Sequence, residues 1–315
     1  MGRRVLVTGC CGFVGSMLTE HLIGMGCDVC GVDNLKFGSG SLVDLAHRFE
    51  FHRTDVRDGD AVARIIHGFR PDVVVHLAAI VGAPACHGDP EGSRAVNVGG
   101  TENVVRPSRM AGAHVVFAST GSVYGSVSDR LCTEETAPAP LTEYGRDKAE
   151  AESIVREGAA QWTILRFATA FGLSRRMRLD LLPNDFVWQA LHSHHLLVYE
   201  GGHMRTFIEV SDMVWAIWSC VLDPMASAGR VFNVGDDTLN VTKADLAALV
   251  ASMVPGTSLD MKGTGVDPDR RDYLVDYSCI HEDLGFRAEI GLEEGVRRLV
   301  RGYALMRQDS PWHNG

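Results

Sequence analysis

Tyr144 and Lys148 stand four residues apart in a polar stretch, Thr142 to Val155, whose pattern predicts a helix, so both side chains fall on one face. A phenol has a reference pKa near 10, and it becomes a base at neutral pH only if that value falls by about 3, roughly 4 kcal/mol. One cation about 4 Å away supplies a similar amount at an effective dielectric near 20. At larger separations Lys148 supplies less, and a second positive group must assist it. Ser119-Thr120-Gly121-Ser122 follows an apolar run at His114 to Ala118, and the Thr120 hydroxyl can hydrogen-bond the oxygen that Tyr144 deprotonates.

These side chains need a scaffold, and the N-terminus supplies its first unit. Arg3 to Thr8 is a short apolar run with β-branched residues, Gly9-Cys10-Cys11-Gly12-Phe13-Val14-Gly15 follows at once, and Met17 to Ile23 reads as a helix. In a strand, glycine turn and helix of this kind, Gly9 takes backbone angles closed to other residues, Gly12 lets the main chain approach a ligand, and Gly15 lets helix pack on strand. A pyrophosphate then sits on the free amides of the helix. Cys27 to Asp33 is a second strand, ending on an acid about 20 residues after the glycines, where a dinucleotide fold places the carboxylate for the adenosine ribose hydroxyls. Asp33 selects NAD over NADP, because a 2′-phosphate about 4 Å away would suffer roughly 4 kcal/mol of repulsion. No arginine follows directly, and Lys36 is the nearest cation. The oxidised nicotinamide of such a cofactor is the second positive group that Lys148 needs.

Strand and helix patterns then alternate. Phe51 to Asp55 is a third strand, with Asp55 and Val56 placed to meet an adenine, and Ala61 to Gly68 a helix. Asp72 to Leu77 is an apolar run of the kind buried on both faces, and Ala78 and Ala79 leave room for a flat ligand at its carboxyl end. A loop, Val81 to Pro90, leads to a helix from about Glu91 to Met110, which Pro107 should bend or end. His114 to Ala118 and Trp162 to Phe167 are the fifth and sixth strands. The pattern predicts an α/β fold with a doubly wound parallel sheet. After Gly172 come a basic knot, Arg175-Arg176-Met177-Arg178, a helix at Leu181 to Leu191 whose N-terminus can hold a phosphate, and short strands at Leu196 to Tyr199, Thr206 to Val210 and Val231 to Val234. Helices at Lys243 to Met253 and Leu292 to Met306 complete a smaller, discontinuous C-terminal substrate domain. The expected division is 1–172 with 207–236 for the dinucleotide and 173–206 with 237–315 for the substrate.

At 315 residues, 45% hydrophobic and 22% charged, the chain has ample material for a core. Thirty Lys and Arg against forty Asp and Glu give a net charge of -10, which disfavours nucleic acid or an anionic membrane as partner. An anionic small ligand must be met by local basic clusters. No apolar run reaches membrane-span length and no signal-peptide pattern opens the chain, so a cytoplasmic location is expected. Cys27 and Cys30 have redox spacing but lie along one strand and face opposite sides, as buried thiols do. His192, His194 and His195 lack acidic or cysteine partners at a helix end, so they read as solvated surface, and no metal is expected.

The segment Thr8 to Gly15 taken with Tyr144-x-x-x-Lys148 resembles the extended short-chain dehydrogenase/reductase family, in its NAD-dependent sugar-nucleotide epimerase/dehydratase branch, whose dinucleotide domain is a Rossmann fold. His76 to Ala79, Asn97 to Thr101, Ser122 to Gly125 and Arg205 to Val210 resemble segments of that branch in the expected order, over nearly the whole chain. The resemblance implies Tyr144 as the catalytic base, Lys148 on the nicotinamide ribose, and Thr120 as the hydroxyl partner. It implies Gly9, Gly12, Phe13, Val14 and Gly15 around the pyrophosphate, Asp33 and Asn34 at the ribose, Asp55 and Val56 at the adenine, and Leu77, Ala78, Ala79 and Asn97 as further cofactor contacts. Asn184, Arg205 and Arg271, with Arg178 added, match positions that bind the nucleoside diphosphate of a sugar donor. The dehydratases carry an Asp-Glu pair after the hydroxyl residue and the decarboxylases a glutamate, where this chain has Gly121-Ser122. That pattern suits an epimerase acting at carbon 4. The alternatives are a sugar-nucleotide dehydrogenase or ketoreductase with net hydride transfer and, further off, a nonenzymatic dinucleotide sensor. Cys86 and His87 could serve a carbon-acid epimerisation, but a loop cysteine without a paired lysine reads as structural. By the same resemblance, the helices at Glu91 to Met110 and Thr142 to Val155 imply a four-helix homodimer interface.

Overall fold

The computed structural model describes residues 2–38, 40–262 and 272–306. In chain order its strands are β1 (Arg4–Thr8), β2 (Asp28–Asp33), β3 (Glu50–Arg53), β4 (Val73–His76), β5 (His114–Thr120), β6 (Ser126–Cys132), β7 (Gln161–Phe167), β8 (Thr169–Phe171), β9 (His195–Tyr199), β10 (Met204–Glu209), β11 (Arg230–Val234), β12 (Asn240–Thr242), β13 (Ser258–Lys262) and β14 (Asp272–Val275). The longer helices are α1 (Phe13–Gly24), α2 (Gly59–Phe69), α3 (Gly100–Ala111), α4 (Glu143–Gly158), α5 (Leu182–Ser193), α6 (Val210–Leu222), α7 (Lys243–Met253) and α8 (Leu292–Tyr303). Seven strands form one parallel sheet in the order β11-β7-β5-β4-β1-β2-β3, the doubly wound arrangement.

The sheet is covered on both faces because its strands are apolar on both. Val5 and Val7 of β1 join Leu18 and Leu22 of α1 and Ile217 and Val221 of α6 in one core, while Leu6 between them joins Val62 and Ile66 of α2 and Val104 of α3 in another. Cys27 and Cys30 pack into these opposite cores in the same way. A further core gathers Phe171, Val187, Leu196, Phe207, Leu246, Val250 and Leu299 beneath the smaller sheets. There β10 pairs with β8 in parallel and with β12 antiparallel, and β9 pairs with β13.

Several expectations about elements need correction. Val231 to Val234, read as a short strand beyond the six of the main sheet, is β11, which hydrogen-bonds to β7 and makes a seventh strand of that sheet, inside the 207–236 stretch expected on the dinucleotide side. The loop from Val81 to Pro90 holds a short helix, Ala83–Gly88. The helix expected from Glu91 to Met110 is three pieces: a helical turn at Pro90–Arg94, a π-helical turn at Ala95–Gly99, and α3. Pro107 does not end α3, which continues to Ala111 and stops at Gly112, where φ is +70°. Pro107, Val104 and Val105 are buried against the sheet, and this packing outweighs the one amide donor that proline removes. Among the described residues no helix is long and apolar enough to cross a membrane.

Candidate active site

Strand order reverses between β1 and β4, and the crevice opens there at the carboxyl edge. The glycine turn is shaped by its surroundings: Gly9 has φ +72°, and a Cβ on it would lie 2.8 Å from the Ala78 amide nitrogen. A Cβ on Gly15 would meet the Gly9 carbonyl oxygen at 2.0 Å. No side chain caps α1, so its first amides remain available to a phosphate. Asp33 is held at the end of β2 by the Cys11 amide, which donates to Oδ2 at 3.0 Å, and the Leu35 amide, which donates to Oδ1 at 2.8 Å. Burial pushes its pKa up while these bonds and the charge of Arg176 oppose the rise. Each carboxylate oxygen keeps acceptor capacity for a ribose hydroxyl. The residues present therefore fit a dinucleotide.

One cleft of about 740 Å³ is lined by Gly9, Gly12, Phe13, Val14, Gly15, Asp33, Asn34, Val56, Leu77, Ala78 and Ala79 from the expected cofactor set, and by Thr120, Tyr144, Lys148, Arg178 and Arg205. The predicted catalytic and nucleotide residues are thus brought together. Thr142 caps α4, its Oγ1 accepting from the Gly145 amide at 3.1 Å, which fixes the first turn that presents Tyr144. Lys148, one turn on, is buried; Nζ donates to the Ala118 carbonyl at 2.7 Å and lies 4.6 Å from the Phe117 ring centroid. Burial pushes the Lys148 pKa down to about 8, opposed in part by Cys86, Glu152 and Asp147. Thr120 caps the tight turn Gly121–Tyr124, accepting from the Ser122 amide at 3.1 Å and donating to the Ser122 hydroxyl at 3.1 Å. Ser122 also lines the cleft and adds a second hydroxyl beside that of Thr120.

Three expected ligands are placed differently. Asp55 spends its carboxylate on Arg57, at 2.9 Å, and on the Asn34 amide, at 2.9 Å, so it orients Asn34 while Val56 faces the cleft. Arg57 beside it holds the Asp55 carboxyl well below the usual range. Asn97 is buried and clamps the main chain of Ile80, accepting from its amide at 2.8 Å and donating to its carbonyl at 3.0 Å. Asn184, fully buried, accepts from the Gly172 amide at 3.0 Å and donates to the carbonyls of Gly172, at 3.2 Å, and Arg178, at 2.8 Å. Its amide is satisfied by backbone, and it fixes the segment that carries Arg178. Arg178 itself pairs with Asp180 at 2.5 Å. Arg205 is 4% exposed and donates to the Met204 carbonyl at 3.0 Å. Arg271 lies outside the described residues.

Cys86 and His87 part company: Cys86 is fully buried beside Ile80 and Asn97, and its thiol pKa is pushed up by burial, while His87 stands out in solvent near Glu143. A thiol kept protonated in this way is no carbon-acid base. His192 stacks on Trp188 at 3.7 Å, His194 ends α5 in the left-handed region, and His195 opens β9, all at the surface. His76 is held neutral, its pKa pushed down to about 3 by burial, and bonds to Thr8 at 2.7 Å and Thr101 at 3.1 Å.

Comparison with known proteins agrees with this geometry. The model of the NAD dependent epimerase/dehydratase family matches residues 5–235. UDP-glucuronic acid decarboxylase 1 of Arabidopsis thaliana is 30% identical over 314 residues, covering 95% of this chain and 69% of that protein. UDP-glucose 4-epimerase of Mycolicibacterium smegmatis is 27% identical, covering 94% of this chain and 97% of that one. The structure of Thermus thermophilus UDP-glucose 4-epimerase in complex with NAD superposes with a TM-score of 0.84 at 28% identity, covering 96% of this chain and 99% of that one.

Proposed function

The chain belongs to the NAD-dependent epimerase/dehydratase family, and from that premise we propose that it is an epimerase of a nucleoside-diphosphate sugar, inverting carbon 4 through a transient ketone. The observation that carries this choice is the turn after Thr120. A Cβ on Gly121 would come 2.7 Å from the Tyr273 hydroxyl, so the place where dehydratases carry an aspartate is filled by a ring of β14. The next position is Ser122, which brings no carboxylate. Without an acid and base pair to expel water, the ketone keeps its substituents and is reduced again.

NAD, when bound, supplies the hydride acceptor and donor. Tyr144 takes the proton of the sugar hydroxyl and later returns it, and Thr120 with Ser122 holds the same oxygen by hydrogen bonds. Lys148 stabilises the phenolate and holds the nicotinamide ribose hydroxyls. Arg178 and Arg205, with Arg271 from outside the described residues, bind the diphosphate by charge-assisted bonds. The large cleft gives the ketone room to turn before reduction on its other face. The test is to incubate the purified enzyme with nucleotide sugars in deuterated water without added cofactor and follow products by proton NMR. The expected result is an epimer with no deuterium at the inverted carbon and no accumulating NADH, abolished in Tyr144→Phe. Deuterium at that carbon overturns the ketone route, and stoichiometric NADH with no epimer establishes the net dehydrogenase instead.

A further inference from the structure

Of the basic knot Arg175-Arg176-Met177-Arg178, only Arg178 has been given a ligand above. Arg176 is 7% exposed and lines the cleft. Its guanidinium lies 4.6 Å from the Phe37 ring centroid, and among the described residues it has no hydrogen-bond or ion-pair partner. The charged groups around it are Asp33, Asp180 and Arg178, with the Lys36 ammonium 5.4 Å from the Phe37 ring centroid. A guanidinium that lines the cleft with its side-chain donors unpaired can offer them to an anionic ligand there. The segment that carries it is fastened to the dinucleotide side. Ser174 Oγ donates to the Phe13 carbonyl at 2.6 Å, at the start of α1, and accepts from the Arg176 amide at 3.2 Å. Arg175 donates to the Ser41 carbonyl at 2.6 Å, pairs with Glu20 at 2.9 Å, and pairs with Asp44.

We propose that Arg176 binds the diphosphate of the dinucleotide, closing over it from the side opposite the glycine turn. The Ser174 anchor sits at the first turn of α1, where the free amides are, and an arginine fork on Phe37 adds the countercharge that the glycines lack. The strap comes from the segment between β8 and α5, far in sequence from the dinucleotide motif. It acts on cofactor retention, so it stands whether the cycle ends in an epimer or a ketone.

The experiment titrates NAD, NADP, adenosine and UDP into nucleotide-stripped wild type, Arg176→Ala, Arg176→Lys and, as a control, Lys36→Ala. Arg176→Ala should weaken NAD at least tenfold and make its binding less salt-dependent, with Arg176→Lys in between. Adenosine, which has no phosphate, and UDP should change less than threefold, as should NAD in the Lys36→Ala control. Unchanged NAD affinity in both Arg176 variants overturns the proposal. So does a loss confined to UDP, which assigns Arg176 to the sugar donor, or one confined to NADP, which assigns it to a 2′-phosphate. Melting of the stripped proteins separates these results from misfolding, and the lysine variant decides the matter if the alanine variant does not fold.

Discussion

Replacing Lys148 by methionine should abolish turnover while leaving the nucleotide-free protein at least as stable at pH 7. The methionine keeps the unbranched stem and removes the ammonium that burial disfavours. With the folded pKa near 8 against an ordinary 10.5, the unfolded chain binds the proton more tightly, and the charged lysine costs the folded state about 3 kcal/mol at pH 7. Loss of the hydrogen bond to the Ala118 carbonyl costs about 1–3 kcal/mol in the other direction. The net gain at pH 7 is therefore about 0–2 kcal/mol. The sign of the pH dependence follows from proton counts. Between the two pKa values the unfolded wild type holds more protons than the folded one, so wild-type stability rises with pH and the variant's does not. The advantage of Lys148→Met should shrink by about 3 kcal/mol and reverse as pH climbs from 7 through 10.5. Paired urea titrations of the stripped proteins across that range measure it. A variant clearly less stable at pH 7, or a difference flat with pH, refutes the claim that this lysine is held at a cost in stability.

Glu152→Gln should cost about 3–5 kcal/mol, because it leaves the buried Arg166 guanidinium, 2.8 Å away, without its countercharge. Urea midpoints check this, and Glu152→Leu with Arg166→Met should recover much of the loss. Wild type should bind NAD at least tenfold more tightly than NADP, about 1.4 kcal/mol. Calorimetry on Asp33→Ala should show that gap narrowed, since the carboxylate that repels the 2′-phosphate is gone. The helices α3 and α4 should form a homodimer interface, so light scattering at micromolar concentration should give twice the 34.2 kDa chain mass.

The cofactor half was legible because its chemistry is local. The glycines, the run Asp72 to Leu77 and the acid at the end of β2 are each dictated by a short stretch of backbone that no other residue type satisfies as well. The four-residue spacing of Tyr144 and Lys148 likewise survives any tertiary context in which α4 forms. What escaped is decided at a distance. Nothing in the neighbourhood of Asn97 or Asn184 says whether the amide meets a ligand or a main chain; Ile80 and Gly172 decide it by lying within reach. Arg176 sits more than a hundred residues from Phe37, so local sequence could not pair them. β11 reads as a short isolated strand until β7 offers it an edge.

The helix that carries the proposed catalytic pair holds one more signal that spacing could have revealed. Tyr144, Lys148 and Glu152 recur every four residues on one face of α4, and the third is the one that sets the register of the other two. Ser119, the neighbour of Thr120 on β5, donates to Glu152 at 2.6 Å, and Arg166 on β7 grips both Glu152 oxygens at 2.9 and 2.8 Å. Arg166 in turn donates to the Tyr124 hydroxyl at 3.0 Å, which donates to Asn233 of β11 at 2.7 Å. The carboxylate therefore ties α4 to the strand that ends in Thr120, and Arg166 extends that tie across two more strands. The proposed reaction demands that the phenol and the threonine meet one oxygen, and a misplacement of about 1 Å would cost on the order of a hundredfold in rate. A packed apolar contact would hold helix to strand as firmly, yet it would tolerate sliding. Directional bonds from one glutamate to two strands do not, which is the physical reason for a buried ion pair directly behind the reacting groups.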